Sequence, residues 1–226
     1  MESFEELLRQ AEVAHGHMCA GQILGVRLAL LACNRLGIED PRGADRKKLV
    51  SFVEIDRCAT DAIGLVTGCR LGKRALKFRD WGKMAATIVN LSSGEAVRIV
   101  ALENSRELAR ERFPHIESKA QQQMLAYREL SDDELFRVQR VVVELPAREL
   151  PGYKGARVTC DECGEGVNFD RFVEIPPDAD SGAVGQPRRL CLSCADPGLR
   201  YWRPADSDNR QQLAGEISET RKPGGI

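Results

Sequence analysis

The chain has 226 residues, 42% of them hydrophobic and 30% charged, enough for one sizeable core plus a small module or for two modest domains. Its formal net charge of −1 argues against a general electrostatic nucleic-acid binder and leaves room only for local basic patches. The opening MESFEELLRQAEVA is acidic and amphipathic with no signal-peptide core. The longest apolar run, ILGVRLALLAC, carries Arg27 and is too short to span a bilayer, so a cytoplasmic protein without a membrane role is expected.

In chain order, Phe4, Leu7, Leu8 and Ala11 fall at helical spacing, with Ser3 and Glu6 reading as a capping box and Gly16 as the stop. A loop, HGHMCAG, follows, and then a second helix from about Ala20 to Leu36, ended by Gly37. KLVSFVEID alternates in the manner of a strand, and CATDAIGLVTGC reads as a short helix that stops at Gly68. Two strand-like runs, 84–91 and 95–102, flank a Ser-Ser-Gly turn and predict a hairpin. Helices are expected at 103–112 and 115–130, on either side of Pro114, then a helical turn in SDDELF and a strand in FRVQRVVVEL. Helices and strands mix without a βαβ rhythm, so the fold class is α+β.

Pro151, Gly152 and Gly155 mark a boundary. The division expected is a core over 1–152, a small cysteine-bearing domain over 153–203 and a polar tail over 204–226, in which 209–221 could become helical in a complex.

Eight cysteines in an intracellular chain point to metal ligation or thiol chemistry rather than disulfides. Cys160/Cys163 and Cys191/Cys194 form a CxxC…CxxC set whose four thiolates suit tetrahedral zinc. The intervening 27 residues exceed the usual spacing, and the Pro/Gly/Asp-rich PPDADSGAVGQP, between strand-like FDRFVEI and RRLCL, accounts for the excess. With every position filled by Cys this zinc ribbon is read as structural, because a module this short needs the metal in order to fold.

The HGHMCAG loop is more open in meaning. In an extended loop His15, His17 and Cys19 share a side, and Cys19 precedes a helix whose positive end favours a thiolate. Cys58 repeats that arrangement after a strand. Zinc, iron or nickel would suit such donors, and so would two buried structural thiols without metal. Cys33 reads as core filler and His115 as a surface or capping histidine. Asp61 is either a general base or compensation for a helix dipole. GCRLGKRALKFR gathers Arg70, Lys73, Arg74, Lys77 and Arg79 into a basic rim, which is either solvated or an attractor for a phosphate or carboxylate ligand.

HGHMCAGQILGVRLA, DRCATDAIGLVTGCRLGKRAL and FRDWGKMAATIV together resemble the FmdE family, named for a component of formylmethanofuran dehydrogenase, over roughly 12–140. The resemblance implies an α+β core of the FwdE-like type, with a mixed or antiparallel sheet and packed helices, often dimeric and often followed by a zinc ribbon. It also implies a core metal near the HGHxC loop, with His17, Cys19 and Cys58 as ligands and His15, Asp61, Cys69 and Lys83 lining a pocket. His15 would then orient a ligand rather than bind. One departure is Ala20, where the family loop usually has proline; this loosens the loop without removing a ligand.

Three functions follow as expectations. The first is a metal-binding accessory protein to a molybdenum or tungsten formylmethanofuran dehydrogenase, not catalytic alone since the chain has no iron–sulfur cysteine run. The second is a stand-alone metalloenzyme with an open coordination position and Asp61 or Lys83 moving the proton. The third is a ribbon that reads nucleic acid through Arg188, Arg189 and the aromatics of RYWR, the least favoured of the three.

Overall fold

The computed structural model describes residues 1–177 and 186–202; the expected polar tail and most of the long loop between the cysteine pairs lie outside the described residues. The chain divides into two compact units, Met1–Tyr153 and a second that begins at Lys154.

In the first unit, helix α1 (Phe4–His15) starts on Ser3, whose hydroxyl accepts from the Glu6 N–H at 3.3 Å. The box expected there is only half made: the Glu6 carboxylate turns along the helix to Arg9 and Gln10. Gly16 at φ 92° closes the helix in the left-handed region. Helix α2 (Ala20–Arg35) follows, with Cys19 as its N-cap residue, and is buried along almost its whole length.

Strand β1 (Leu49–Val53) and helix α3 (Cys58–Thr67) lead to β2 (Leu76–Phe78), which pairs parallel with β1. This three-residue edge strand lies within the basic run and is too short to show a period of its own. The expected hairpin is β3 (Ala85–Asn90) and β4 (Ala96–Ala101). Helices α4 (Ser105–Arg112) and α5 (Lys119–Glu129) lie on either side of Pro114, and the short α6 (Asp132–Leu135) carries a complete capping box between Ser131 and Glu134. Strand β5 (Phe136–Val141) stops before Pro146, leaving Val142 exposed.

The resulting sheet is mixed, in the order β2-β1-β3-β4-β5, and antiparallel apart from the β1–β2 pair. Alternation sends its residues to two faces. Leu49, Val53, Ala86, Ile88, Val97 and Ile99 join α1, α2, α3 and α5 in the main core. Val50, Val89 and Ala96 on the other face are covered by Phe52, Val141, Val143 and Leu145. A charged pair shares that second face: Arg98 donates two bonds of 2.7 Å to Glu54, a carboxylate that is almost wholly buried. Such a pair is tolerable inside because both oxygens are bonded. The α+β class with a mixed sheet and packed helices is thus observed.

The position of α2 against α3 sets up the site. A Cβ at Gly25 would lie 2.5 Å from the Ala59 carbonyl and 2.8 Å from the Ala62 side chain, so only glycine lets the two helices pack this closely. One turn earlier, a Cβ at Gly21 would stand 3.1 Å from Cys58 Cβ and 3.7 Å from Cys19 Sγ. The N-terminal ends of α2 and α3 are therefore brought together with both cysteines at the junction.

In the second unit, β6 (Arg157–Thr159) and β7 (Gly166–Asn168) form one hairpin, and β8 (Phe172–Ile175) pairs with β9 (Arg188–Cys191), which runs into the short α7 (Leu192–Ala195).

Candidate metal centres

In the second unit the four sulfurs of Cys160, Cys163, Cys191 and Cys194 all lie within 4.8 Å of one another. Zinc–sulfur bonds of about 2.3 Å in a tetrahedron put sulfurs about 3.8 Å apart. The Cys163–Cys191 separation of 4.0 Å is close to that. The first pair sits on the turn of the β6–β7 hairpin, which the Cys160 N–H bond to Glu165 and the Gly164 N–H bond to Cys160 tighten. The second sits at the junction of β9 and α7. The two turns are tied by bonds between Asp161 and Arg189, including Arg189 N–H to Asp161 Oδ2 at 2.6 Å.

Backbone N–H groups, first that of Cys163 and then that of Cys191, point at Cys160 Sγ and pull its thiol down to about 6. The Ser193 hydroxyl lowers Cys191 in the same sense. Donors aimed at sulfur stabilise thiolate, which is the form a metal binds. Arg200 adds a guanidinium 3.3 Å from Cys194 Sγ. The donor set fits a tetrahedral soft ion, and among the described residues no fifth group competes for it.

In the first unit, donor atoms of His15, His17 and Cys19 converge, again within 4.8 Å of one another. Gly16, in its left-handed turn, reverses the chain after α1 and allows both imidazoles to face one space; their ring centroids are 4.8 Å apart. His15 Nδ1 donates to Asp61 Oδ2 at 2.9 Å, from one turn into α3. A carboxylate on one ring nitrogen fixes the tautomer and leaves Nε2 as the acceptor for a metal. Cys58 does not join the tight trio, but its thiol hydrogen-bonds with Cys19, and burial together with that neighbour pushes the Cys58 thiol up.

Gln22 is a site residue that the sequence patterns do not single out. It is fully buried one turn into α2, and its Nε2 donates to the Cys58 carbonyl at 2.5 Å, fixing the start of α3 against α2. Its Oε1 has no partner among the described residues. A glutamine in the apolar run AGQILGVRLALLA, three residues after Cys19, was the available signal. Two imidazoles, two thiols and a carboxylate anchoring one of the rings fit zinc, iron or nickel.

The pocket residues divide. Asp61 and Cys69 line a cavity of about 530 Å³ with Thr60, Arg42, Arg46, Arg70 and Lys73. Cys69 is buried, its Sγ 3.6 Å from the Leu49 carbonyl, and burial pushes its thiol up. Lys83 is outside that cavity, exposed, with its ammonium 5.6 Å from the centre of the Trp81 ring. Cys33 is core, as its place among leucines suggested, and burial lifts its thiol to about 12. Lys77 is not a rim residue: it is buried on β2, and it pairs with Glu149 at 3.3 Å. His115 stacks obliquely near Phe113. No helix among the described residues is long and apolar enough to cross a membrane.

Comparison with known proteins agrees with this architecture. An FmdE-like protein of tungsten formylmethanofuran dehydrogenase from Syntrophus aciditrophicus, solved by crystallography, superposes with a TM-score of 0.57 at 24% identity, over 89% of this chain and 96% of that one. A curated protein of Archaeoglobus fulgidus, described as a probable S-adenosyl-L-methionine-binding protein, is 32% identical over 208 residues, 84% of this chain. The chain spans about half the length of that relative (52%). The family described as FmdE, molybdenum formylmethanofuran dehydrogenase operon, matches residues 14–143, more than half of the sequence and the whole of the His/Cys site. The chain belongs to the FmdE family.

Proposed function

We propose that the protein is a metal-binding accessory to a molybdenum or tungsten enzyme of the formylmethanofuran dehydrogenase kind, acting as a cytoplasmic homodimer. Its core metal is held by His17, Cys19 and Cys58, with His15 as a further donor steered by Asp61. Its second unit carries a structural zinc on Cys160, Cys163, Cys191 and Cys194. The observation that carries the reading is the convergence of His15, His17 and Cys19 on one space, beside a thiol delivered by a separate helix. The core metal is zinc, iron or nickel, supplied for its affinity for nitrogen and sulfur donors.

The accessory role rests on membership of the FmdE family; the Syntrophus protein adds a shared fold. The ligand in the name of the Archaeoglobus protein is not carried over, because the chain spans only about half of that protein. A second reading, a metalloenzyme in its own right, is favoured by one observation: Asp61, which holds His15, is exposed and opens onto a cavity. Substrate reaching that carboxylate would be close to the metal.

The metal reading is tested by titrating metal-stripped full-length protein with Ni²⁺ and following thiolate-to-metal charge-transfer absorption. Cys58→Ser is expected to weaken binding at the core site by more than about tenfold, as loss of a ligand should cost at least what loss of a supporting residue does. An unchanged core-site affinity in Cys58→Ser would remove it from the ligand set.

A further inference from the structure

Three basic side chains around the 530 Å³ cavity are left without counter-charge among the described residues. Arg42 is spoken for, paired with Glu2 and donating to Gln10 at 2.7 Å. Arg46, Arg70 and Lys73, in contrast, have no carboxylate partner among the described residues, although all three border the same concavity. Most other arginines of this unit are paired, including Arg9, Arg27, Arg98, Arg112, Arg128 and Arg140. Asp61 is the only carboxylate in the described lining, and its Oδ2 is already engaged by His15 at 2.9 Å. Net positive charge with a single, committed acid is the arrangement that draws an anion.

The shape adds to the charge. The lining combines these cations with the Thr60 hydroxyl and with Leu65, Leu71 and Leu76. Leu71 is 66% exposed at this rim, apolar surface that an organic body could cover. Concave sites that pair a few fixed polar groups with apolar walls are the usual seat of small ligands.

We propose that this cavity is a binding site for a small organic anion, bearing phosphate or carboxylate groups, held by Arg46, Arg70 and Lys73. Asp61 belongs both to the cavity and to the His15 support, so a bound anion lies next to the HGHMC loop. That this anion is presented to a metal rests on the metal reading above; the anion site itself does not.

The test is calorimetric titration of the full-length protein at low ionic strength, where exposed charges are least screened. Inorganic phosphate and succinate serve as separate probes, and the tighter one names the anionic group. Saturable binding is expected, weakened about fivefold or more in Arg70→Ala and Lys73→Ala, the order expected on losing one charge-assisted contact at a partly exposed site. Arg70→Lys should recover part of the loss. Asp61→Asn removes the one negative charge of the described lining and should tighten binding, an effect of opposite sign that a merely destabilised variant would not give. Repeating the titration on Cys19→Ser separates the two readings: anion affinity persists there even when metal is lost. Absence of saturable binding by both probes, or affinities indifferent to Arg70 and Lys73, would overturn the proposal.

Discussion

At the scale of single residues, Asp45 shows how one carboxylate can organise a loop. It accepts from the backbone N–H groups of Glu39 and Asp40 at 3.1 and 3.0 Å and from the Lys48 ammonium at 2.7 Å, tying together the turns that precede β1. The Lys48 bond, and then the Asp40 N–H, hold its carboxyl down at about 2. Its value in the unfolded chain is about 3.9, so the stabilisation is present above that pH and is lost as pH falls through about 2. Between pH 4 and 2 the thermal midpoint of the wild type should therefore fall more steeply than that of Asp45→Asn, followed by circular dichroism. Parallel curves would mean that Asp45 contributes nothing specific. Individual ligands were legible in the sequence where their spacing was local: His15, His17 and Cys19 lie within five positions, and each CxxC pair within four. The pairing of His15 with Asp61 spans 46 residues and depends on where α3 begins, which no local pattern encodes. The structure consequently gives His15 a larger part than ligand orientation alone, since its Nε2 is left to face the shared space.

At the scale of elements, the junction of α2 and α3 decides whether the site exists. Gly25 permits close contact with Ala59 and Ala62, and Gly21 leaves space beside Cys19 and Cys58. Gly25→Ala places a methyl 2.5 Å from a backbone carbonyl, which cannot be relieved by rotating a side chain. The helices must shift apart, at an expected cost of roughly 1–3 kcal/mol, the range for overpacking a core. Denaturant unfolding should show that loss, and core-metal affinity should fall with it; unchanged stability would contradict the close packing. Helices α1, α2 and α3 and the β3–β4 hairpin were legible because each carries its own stop signal: Gly16, Gly37, Gly68 and the Ser-Ser-Gly turn. Strand β2 and the β6–β7 hairpin were not, since three-residue strands are too short to display alternation. β2 is specified instead by its parallel register with β1, Ser51 opposite Leu76 and Val53 opposite Phe78.

At the scale of the whole molecule, two units carry two donor sets of different character. The second-unit set is all sulfur and is met by backbone N–H donors, as a structural ion requires. The first-unit set mixes imidazole with thiol, is half exposed, and adjoins a basic cavity, as an exchangeable or working ion requires. The class of fold followed from the irregular order of helices and strands, whereas the order of the sheet followed from long-range pairing and could only be observed. The division of labour between the two sets is the central claim, and metal content measures it directly. Full-length protein, its Cys19→Ser variant and its Cys160→Ser variant are purified alike and assayed by elemental mass spectrometry. The account predicts two metal ions per chain in the wild type, with each variant losing one and keeping the other. Full metal retention in Cys19→Ser, or a wild type holding only the ion that Cys160→Ser removes, would contradict it.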